Sequence, residues 1–448
     1  MASNAFALPP DGKQPTAARG GGYAHSLALG GDALPVAASD LPGLDVLDVA
    51  VSGEGLDPAF QPIVLLTDGA VVGFEALTRW PALSDPDPEA VFSHAAETGR
   101  IDRLDQMCID AAIENALRRG LSRGSLLMLN CEPLSAYADR ASNQLLARAH
   151  DEFQVMFELT ERSLLKHPRA LLTKVASLRA DGFGLALDDV GAHPDSLALL
   201  DVICPDVVKL DLHLVQSHPT DDQARILAAV LAHRERTGAV LLAEGIESEE
   251  HLEQALALGA TLGQGYQFGR PEPLSEQPSV RWSLPPMKPQ VQSDTDSPFD
   301  FVAAKISGRT ARKATLIPFS RHIEAQARHA TDPPMVLTAV QRAEHFTGST
   351  RARYREIAAT SPLVAIFGAG LPADLGAGIR GVDLDPADPL CALWIVLILG
   401  PHHAAALIAR EQDAVGSVPE GERRFDLIIT YDRVLVTVVA RNLLDRIH

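Results

Sequence analysis

Short apolar runs recur along the first part of the chain, and each stops at a polar residue of metal-binding or base type. Leu126-Leu-Met-Leu129 stops at Asn130, Val155-Met-Phe157 at Glu158, and Leu185-Ala-Leu187 at Asp188 and Asp189. Val207-Val208 stops at Lys209, Val240-Leu-Leu-Ala243 at Glu244, and Val71-Val-Gly-Phe74 at Glu75. Between them lie stretches of helical character at 102–117, 168–179, 221–237 and 248–258. Ser248, followed by Glu249 and Glu250, marks a helix start, because an N-cap hydroxyl and first-turn acids suit the exposed amides and the helix dipole. Gly259 stands where a C′ glycine would end that helix. The alternation predicts parallel strands with crossover helices over 46–275. An open doubly wound sheet and a closed barrel share this rhythm, but the polar endings favour the barrel. There all strand C-termini converge on one face, whereas an open sheet lets only groups near its switch point cooperate.

The flanking segments read differently. Residues 1–45 are rich in Gly, Ala, Pro and Ser without a sustained period, the composition of a flexible arm. Residues 276–313 carry Pro278, Pro285, Pro286, Pro289 and Pro298 among Ser, Gln and Asp, the composition of a linker. A second unit, 314–448, shows strand-like runs at 315–319, 335–337, 363–367, 392–399, 425–430 and 434–439. Helical stretches are expected at 320–329, 351–360, 402–410 and 440–447. This is a small α/β domain of sensor-module size.

Charge narrows the partners. The formal net charge is -19, from 58 acidic and 39 basic side chains, and no basic stretch forms a phosphate-neutralising stripe. That argues against duplex nucleic acid, and no basic recognition helix of a DNA regulator is evident. A small anionic ligand stays possible because metal ions invert the local field. The scattered Cys108, Cys131, Cys204 and Cys391 fit neither a zinc motif nor a disulfide framework, and reduced core thiols are expected. Without a basic and apolar leader, and with no stretch of roughly 20 apolar residues, a cytoplasmic protein with no membrane partner is expected.

Glu75, Asn130, Glu158, Asp188, Asp189 and Glu244 are all hard oxygen donors, with no His or Cys among them, a set suited to Mg²⁺ or Mn²⁺. Five converging carboxylates would raise one another's pKa values, and two divalent cations would offset that repulsion. Adjacent strand residues point to opposite faces, so either Asp188 or Asp189 must act from the start of a loop. Lys209 is the one cation. It would orient or deprotonate a water, its pKa falling with burial and metal charge, or it would simply pair with the acids.

Glu75-Ala-Leu77 followed by Thr78 and Arg79 resembles the name-giving motif of the EAL domain family, the cyclic di-GMP phosphodiesterases. The resemblance continues through Phe60-Gln-Pro-Ile63, Leu129-Asn130, Glu158-Leu-Thr-Glu161, Asp188-Asp189-Val-Gly191, Lys209-Leu-Asp211, Glu244-Gly-Ile-Glu247 and Gln264-Gly-Tyr-Gln-Phe-Gly-Arg-Pro271, about half of the chain. It implies an α/β fold of the modified (β/α)8 TIM type, cutting cyclic di-GMP to linear pGpG with two Mg²⁺ or Mn²⁺ ions, and a homodimer formed through the barrel. It implies metal ligands at Glu75, Asn130, Glu158, Asp188, Asp189 and Glu244. Lys209 would hold or activate the water, Gln264 would help place either, and Glu161 would brace the loop after Asp189. Gln61, Leu77, Arg79 and Asp211 would form the substrate-binding set, with Arg79 on a phosphate, a role for a planar permanent cation.

Several residues have simpler readings. Asp211 could only tie down a loop, Glu247 serves a helix start, Asp105 is a structural helix residue, and His193 is solvated. The segment Asp188-Asp-Val-Gly-Ala-His-Pro-Asp-Ser196 departs from the family's Asp-Asp-Phe-Gly-Thr-Gly-Tyr-Ser-Ser. Pro194 fixes φ and removes a donor, which bears on dimer coupling and basal rate. The second unit resembles the DICT sensory domain through Ala314-Thr-Leu-Ile-Pro-Phe-Ser320, the Phe367-Gly-Ala-Gly370 turn and a closing strand and helix over 434–447, with His402 and His403 at a helix start. A regulatory role toward the phosphodiesterase is expected, through an unknown ligand or protein partner. The alternative for the whole chain is a catalytically weak or silent cyclic di-GMP receptor signalling to a protein partner.

Overall fold

Eight strands close into a barrel, as the polar run endings predicted: β1 (Ala59–Leu65), β2 (Val71–Leu77), β3 (Leu126–Asn130), β4 (Gln154–Thr160), β5 (Gly184–Val190), β6 (Val207–Leu210), β7 (Val240–Ala243) and β8 (Leu262–Gly263). This computed structural model describes residues 45–160, 165–192, 197–275, 277–278, 280–286, 295, 297–412 and 419–448. β2 to β8 run parallel, while β1 is antiparallel to both β2 and β8. The cause is local. Only a tight turn separates β1 from β2, with Gly69 at φ 72° and Asp68 Oδ1 accepting from the Ala70 amide at 3.0 Å. Strands this close in sequence can pair only antiparallel.

The connecting helices are α1 (Val46–Val51), α2 (Pro88–Glu97), α3 (Ile101–Arg118), α4 (Gln144–Glu152), α5 (Pro168–Ala180), α6 (Leu200–Ile203), α7 (Leu212–Val215), α8 (Asp221–Thr237) and α9 (Glu249–Ala257). Ser248 caps α9 by accepting from the His251 amide, and Gly259 follows its end at φ 83°, both as expected. The lower barrel is filled by inward residues including Ile63, Met128, Met156, Val207, Leu242 and Leu262. Trp282 and Leu284 pack against this cluster, held by Gln154, which donates to the Trp282 carbonyl and accepts from the Leu284 amide. No helix among the described residues is long and apolar enough to cross a membrane.

The second unit begins inside the segment expected as linker, with α10 (Pro298–Ala303) and β9 (Arg309–Arg312). Its mixed sheet adds β10 (Met335–Arg342), β11 (Val364–Ala369), β12 (Ile379–Asp383), β13 (Leu393–Leu399), β14 (Ala404–Glu411) and β15 (Arg424–Thr430), in the order β12-β11-β10-β13-β14-β15-β9. Alternate residues serve opposite faces. Val336 and Val340 lie under α11 (Lys313–His329) and α12 (Gly348–Ala358), whereas Met335, Leu337 and Ala339 lie under α13 (Arg433–Leu444). Three local expectations are corrected. Residues 315–319 belong to α11, 434–439 to α13, and 402–410 lead into β14, so His402 and His403 precede a strand. Ala-rich β14 was misread from its helix propensity, and β-branched α13 from its strand propensity; tertiary packing overrides both.

α13 is apolar nearly all round because it has two partners. One side covers the sheet; the other packs on α5 and α6 of the barrel, and one apolar cluster runs through both units. Asp201, in α6, accepts from Arg433 at 2.5 Å, Arg236 at 3.0 Å and His233 at 2.9 Å. Arg441 donates to the carbonyls of Val202 and Asp201.

Candidate metal centre

The inward register that fills the lower barrel also builds the site. Side chains two apart on a strand share a face, so Met128 is followed by Asn130, Met156 by Glu158, Ala186 by Asp188, Val207 by Lys209, Leu242 by Glu244 and Leu262 by Gln264. Gln61 precedes Ile63 on reversed β1 and lies opposite Glu75 in the β1–β2 ladder. Glu75, Glu158 and Asp188 therefore stand inside their strands, each two residues before the end, rather than beyond them. All these groups meet at the C-terminal mouth of the barrel.

Lys209 occupies the middle. Its Nζ lies 2.8 Å from Glu158 Oε2, 2.9 Å from Asp188 Oδ1, 2.9 Å from Glu244 Oε1 and 3.4 Å from Glu75 Oε2, and the residue is 1% exposed. Asn130 Nδ2 donates to Glu75 Oε1 at 3.1 Å; Gln264 Nε2 donates to Glu75 Oε2 at 2.7 Å and to Gln61 Oε1 at 3.0 Å. Gln61 in turn donates to the Gly269 carbonyl. Gly265 lets Gln264 reach this place: its φ is 155°, and a Cβ there would stand 2.1 Å from the Ile246 carbonyl oxygen.

The adjacent aspartates are reconciled by a break in the ladder. Register against β6 shifts between Leu187 and Val190, and Asp189 takes the left-handed conformation at φ 56°. A bulge of this kind re-aims one side chain. Carboxylate oxygens of Asp188, Asp189 and Glu244 consequently lie within 4.8 Å of one another.

Electrostatics follow from this crowding. Burial opposes ionisation of Glu75, but the Lys209 charge and the hydrogen bonds from Gln264 and Asn130 outweigh it and hold the carboxyl below its ordinary range. Burial and the Glu75 charge push Glu158 well above that range, and burial lifts Glu244 to about 8 against the pull of Lys209. For Lys209, with no metal charge beside it, burial and the surrounding acids act in opposite directions. Burial pushes its pKa down, but Asp188, Glu158, Glu244 and Glu75 together carry it well above the usual lysine value. Without other cations Lys209 is thus a firmly protonated counter-ion and not a base.

The donor chemistry fits divalent cations. Buried oxygens Glu158 Oε1 and Gln264 Oε1 have no hydrogen-bond partner among the described residues, a costly arrangement that a hard cation or its water shell would relieve. Asp188, Asp189 and Glu244 can serve one ion, and Glu75, Asn130 and Glu158 follow one another on the neighbouring strands β2, β3 and β4.

The outer residues separate by role. Asp211 caps α7, accepting from the His213 amide at 2.9 Å, which is the loop-tying contact. Leu77 ends β2 half-buried, and Arg79 donates to the Thr78 carbonyl, with no ion pair among the described residues. The Glu247 amide donates to His251 Nδ1 at the start of α9. Glu161, His193 and Pro194 lie outside the described residues.

Asp105 is structural, as expected, but its buried partner Lys174 was missed by sequence reasoning. Asp105 accepts from the Glu132 amide at 3.0 Å and from Ser135, and lies 3.6 Å from Lys174 Nζ, which also donates to the Glu132 carbonyl at 2.5 Å. Both ions are buried, and together they fasten the loop immediately after Asn130. Its signal was a lysine on the apolar stripe Leu171, Lys174, Val175, Leu178 of α5.

Comparison with known proteins follows the two units. Residues 301–412 match the family described as a sensory domain in diguanylate cyclases and two-component systems. The chain is 33% identical over 252 residues to the cyclic di-GMP phosphodiesterase RocR of Pseudomonas aeruginosa, covering 54% of this chain and 62% of that protein. It is 30% identical over 259 residues to the probable cyclic di-GMP phosphodiesterase PdeN of Escherichia coli, covering 56% and 49%. It thus spans about half to three-fifths of these relatives. The calcium and cy-diGMP complex of Klebsiella pneumoniae BlrP1 aligns with a TM-score of 0.44 at 30% identity, covering 49% of this chain and 56% of that one. Residues 45–271, just over half of the chain, match the EAL domain, and with the barrel and its ring of oxygen donors this establishes that the chain belongs to the EAL domain family.

Proposed function

We propose that this chain hydrolyses cyclic di-GMP to linear pGpG with two Mg²⁺ or Mn²⁺ ions. The observation that carries the reading is the single ring of Glu75, Asn130, Glu158, Asp188 and Glu244 around Lys209 at the barrel mouth. The names of the two relatives support the substrate. Glu75, Asn130, Glu158, Asp188, Asp189 and Glu244 would hold the ions. Bound there, two divalent cations would generate the nucleophile and neutralise charge on the phosphoryl oxygens. The chain's own residues do the rest. Gln264 and Asn130 fix both oxygens of the Glu75 carboxylate, and Gln61 fixes Gln264, so the ring is held before substrate arrives. Lys209, at the centre of the acids, would hold an attacking water through its N–H bonds. Arg79, close to the β2 end, would neutralise a phosphate of the substrate.

Regulation by the second unit is proposed on the contact of α13 with α6, the helix that follows the loop leaving Asp189. Since α13 covers α5 and α6, a homodimer through the barrel would need another flank. The deciding experiment incubates the purified chain with cyclic di-GMP and Mg²⁺ and looks for pGpG by chromatography. Product above that of Glu75→Ala is expected. No such product, with cyclic di-GMP still bound, would leave a silent receptor instead.

A further inference from the structure

Asn130 differs from the other oxygen donors of the ring in carrying no charge. A carboxylate can turn and still offer an oxygen to a cation, whereas an amide has one acceptor oxygen and must be held the right way round. Its Nδ2 is committed to Glu75 Oε1 at 3.1 Å, which leaves Oδ1 as the group a cation could take. Asn130 is also the last residue of β3, so its backbone depends on what holds the chain just beyond it.

That stretch is held residue by residue. The Cys131 amide donates to the Glu158 carbonyl at 3.1 Å. The Glu132 amide donates to Asp105 Oδ1 at 3.0 Å, and the Glu132 carbonyl accepts from Lys174 Nζ at 2.5 Å. Lys174 Nζ donates again to the Ser135 carbonyl at 3.1 Å and to Ser135 Oγ at 2.6 Å, while that hydroxyl donates to Asp105. All the N–H bonds of the ammonium thus serve residues 132 and 135. Lys174 is 4% exposed and Asp105 3%. Holding a loop does not require this, since apolar residues in place of a buried ion pair are often neutral or stabilising. Burial lifts the Asp105 carboxyl above its ordinary range against the pull of Lys174, so the pair is kept ionised at a cost. What it supplies is geometry, because a ligand must be fixed closely to serve a cation.

We infer that Lys174, paired with Asp105, is a positioning residue for the metal ligand Asn130 and acts through the backbone of Glu132. The inference rests on the proposed metal centre. Its test is Mn²⁺ uptake by the full chain, followed by electron paramagnetic resonance without cyclic di-GMP, so that turnover plays no part. Lys174→Met alone strands a buried carboxyl and lowers stability. Lys174→Met with Asp105→Asn removes both charges and should unfold in urea close to the unaltered chain. This double variant should nevertheless bind Mn²⁺ about tenfold more weakly. Introduced beside Asn130→Ala, which weakens Mn²⁺ by itself, the same exchange should cost no further affinity, as expected of groups acting as a unit. Unchanged Mn²⁺ affinity in the double variant, or full additivity with Asn130→Ala, would overturn the inference and leave the ion pair a purely structural one. If the unaltered chain takes up no Mn²⁺, or Glu75→Ala binds it as tightly, the metal centre itself falls and the inference with it.

Discussion

Replacing Lys209 by Met keeps the volume and removes the charge at the centre of four carboxylates. At an effective dielectric of about 20, one unit pair near 3 Å is worth about 5 kcal/mol, and desolvating the ammonium returns several of these. Breaking a buried pair therefore costs roughly 3–5 kcal/mol in the metal-free protein. At about 1 °C per kcal/mol for barrel and second unit melting together, the melting temperature in EDTA should fall by roughly 3–5 °C. Divalent cations bind the same acids, so Mn²⁺ should return more stability to Lys209→Met than it adds to the unaltered chain. Scanning calorimetry with and without Mn²⁺ measures both. If the variant melts in EDTA at the unaltered temperature, or Mn²⁺ stabilises neither protein, the picture of competing cations in one acidic ring is wrong.

Further outcomes follow from individual contacts. Gln264→Leu removes the donor to Glu75 and Gln61, and pGpG formation should fall about 10- to 100-fold with the fold intact by circular dichroism. Asp105→Ala strips Lys174 of its buried partner and should cost about 3–5 kcal/mol in urea unfolding. Burial would raise the Asp201 carboxyl, but the His233 hydrogen bond and the Arg236 and Arg433 charges hold it well below its ordinary range. A depressed carboxylate contributes stability above its unfolded pKa and loses it as pH falls further, so calorimetry below about pH 4 should show a loss that Asp201→Asn lacks. Burial pushes the Cys108 and Cys131 thiols up to about 12. Iodoacetamide on the native chain at pH 8 should therefore label the partly exposed Cys391 before either, as peptide mass spectrometry can show.

The barrel and its ring were legible because the inner period of two delivers an apolar residue and then a polar one on strand after strand, a pattern that survives without tertiary knowledge. The placement of Asp188 beside Asp189 was not, since it depends on a left-handed residue and a shifted ladder. Reversed β1 was encoded in the short Thr67-Asp-Gly69 turn, a signal weaker than the run endings around it. In the second unit, 434–439 reads as strand by its valines, yet Asp432 caps a helix there by accepting from the Val434 and Leu435 amides. That helix is stable because two surfaces cover it, which no local window reveals.

α13 also binds the fates of the two units thermodynamically. Parting them would uncover the apolar side of α13 that packs on α5 and α6, along with the barrel flank beneath it. Barrel and sheet should therefore melt in a single cooperative transition. A ligand taken up by the sheet at 100 times its dissociation constant adds about 2.7 kcal/mol to the folded state, and through α13 the barrel shares in it. The two units can thus exchange stability across their common helix with no moving part between them.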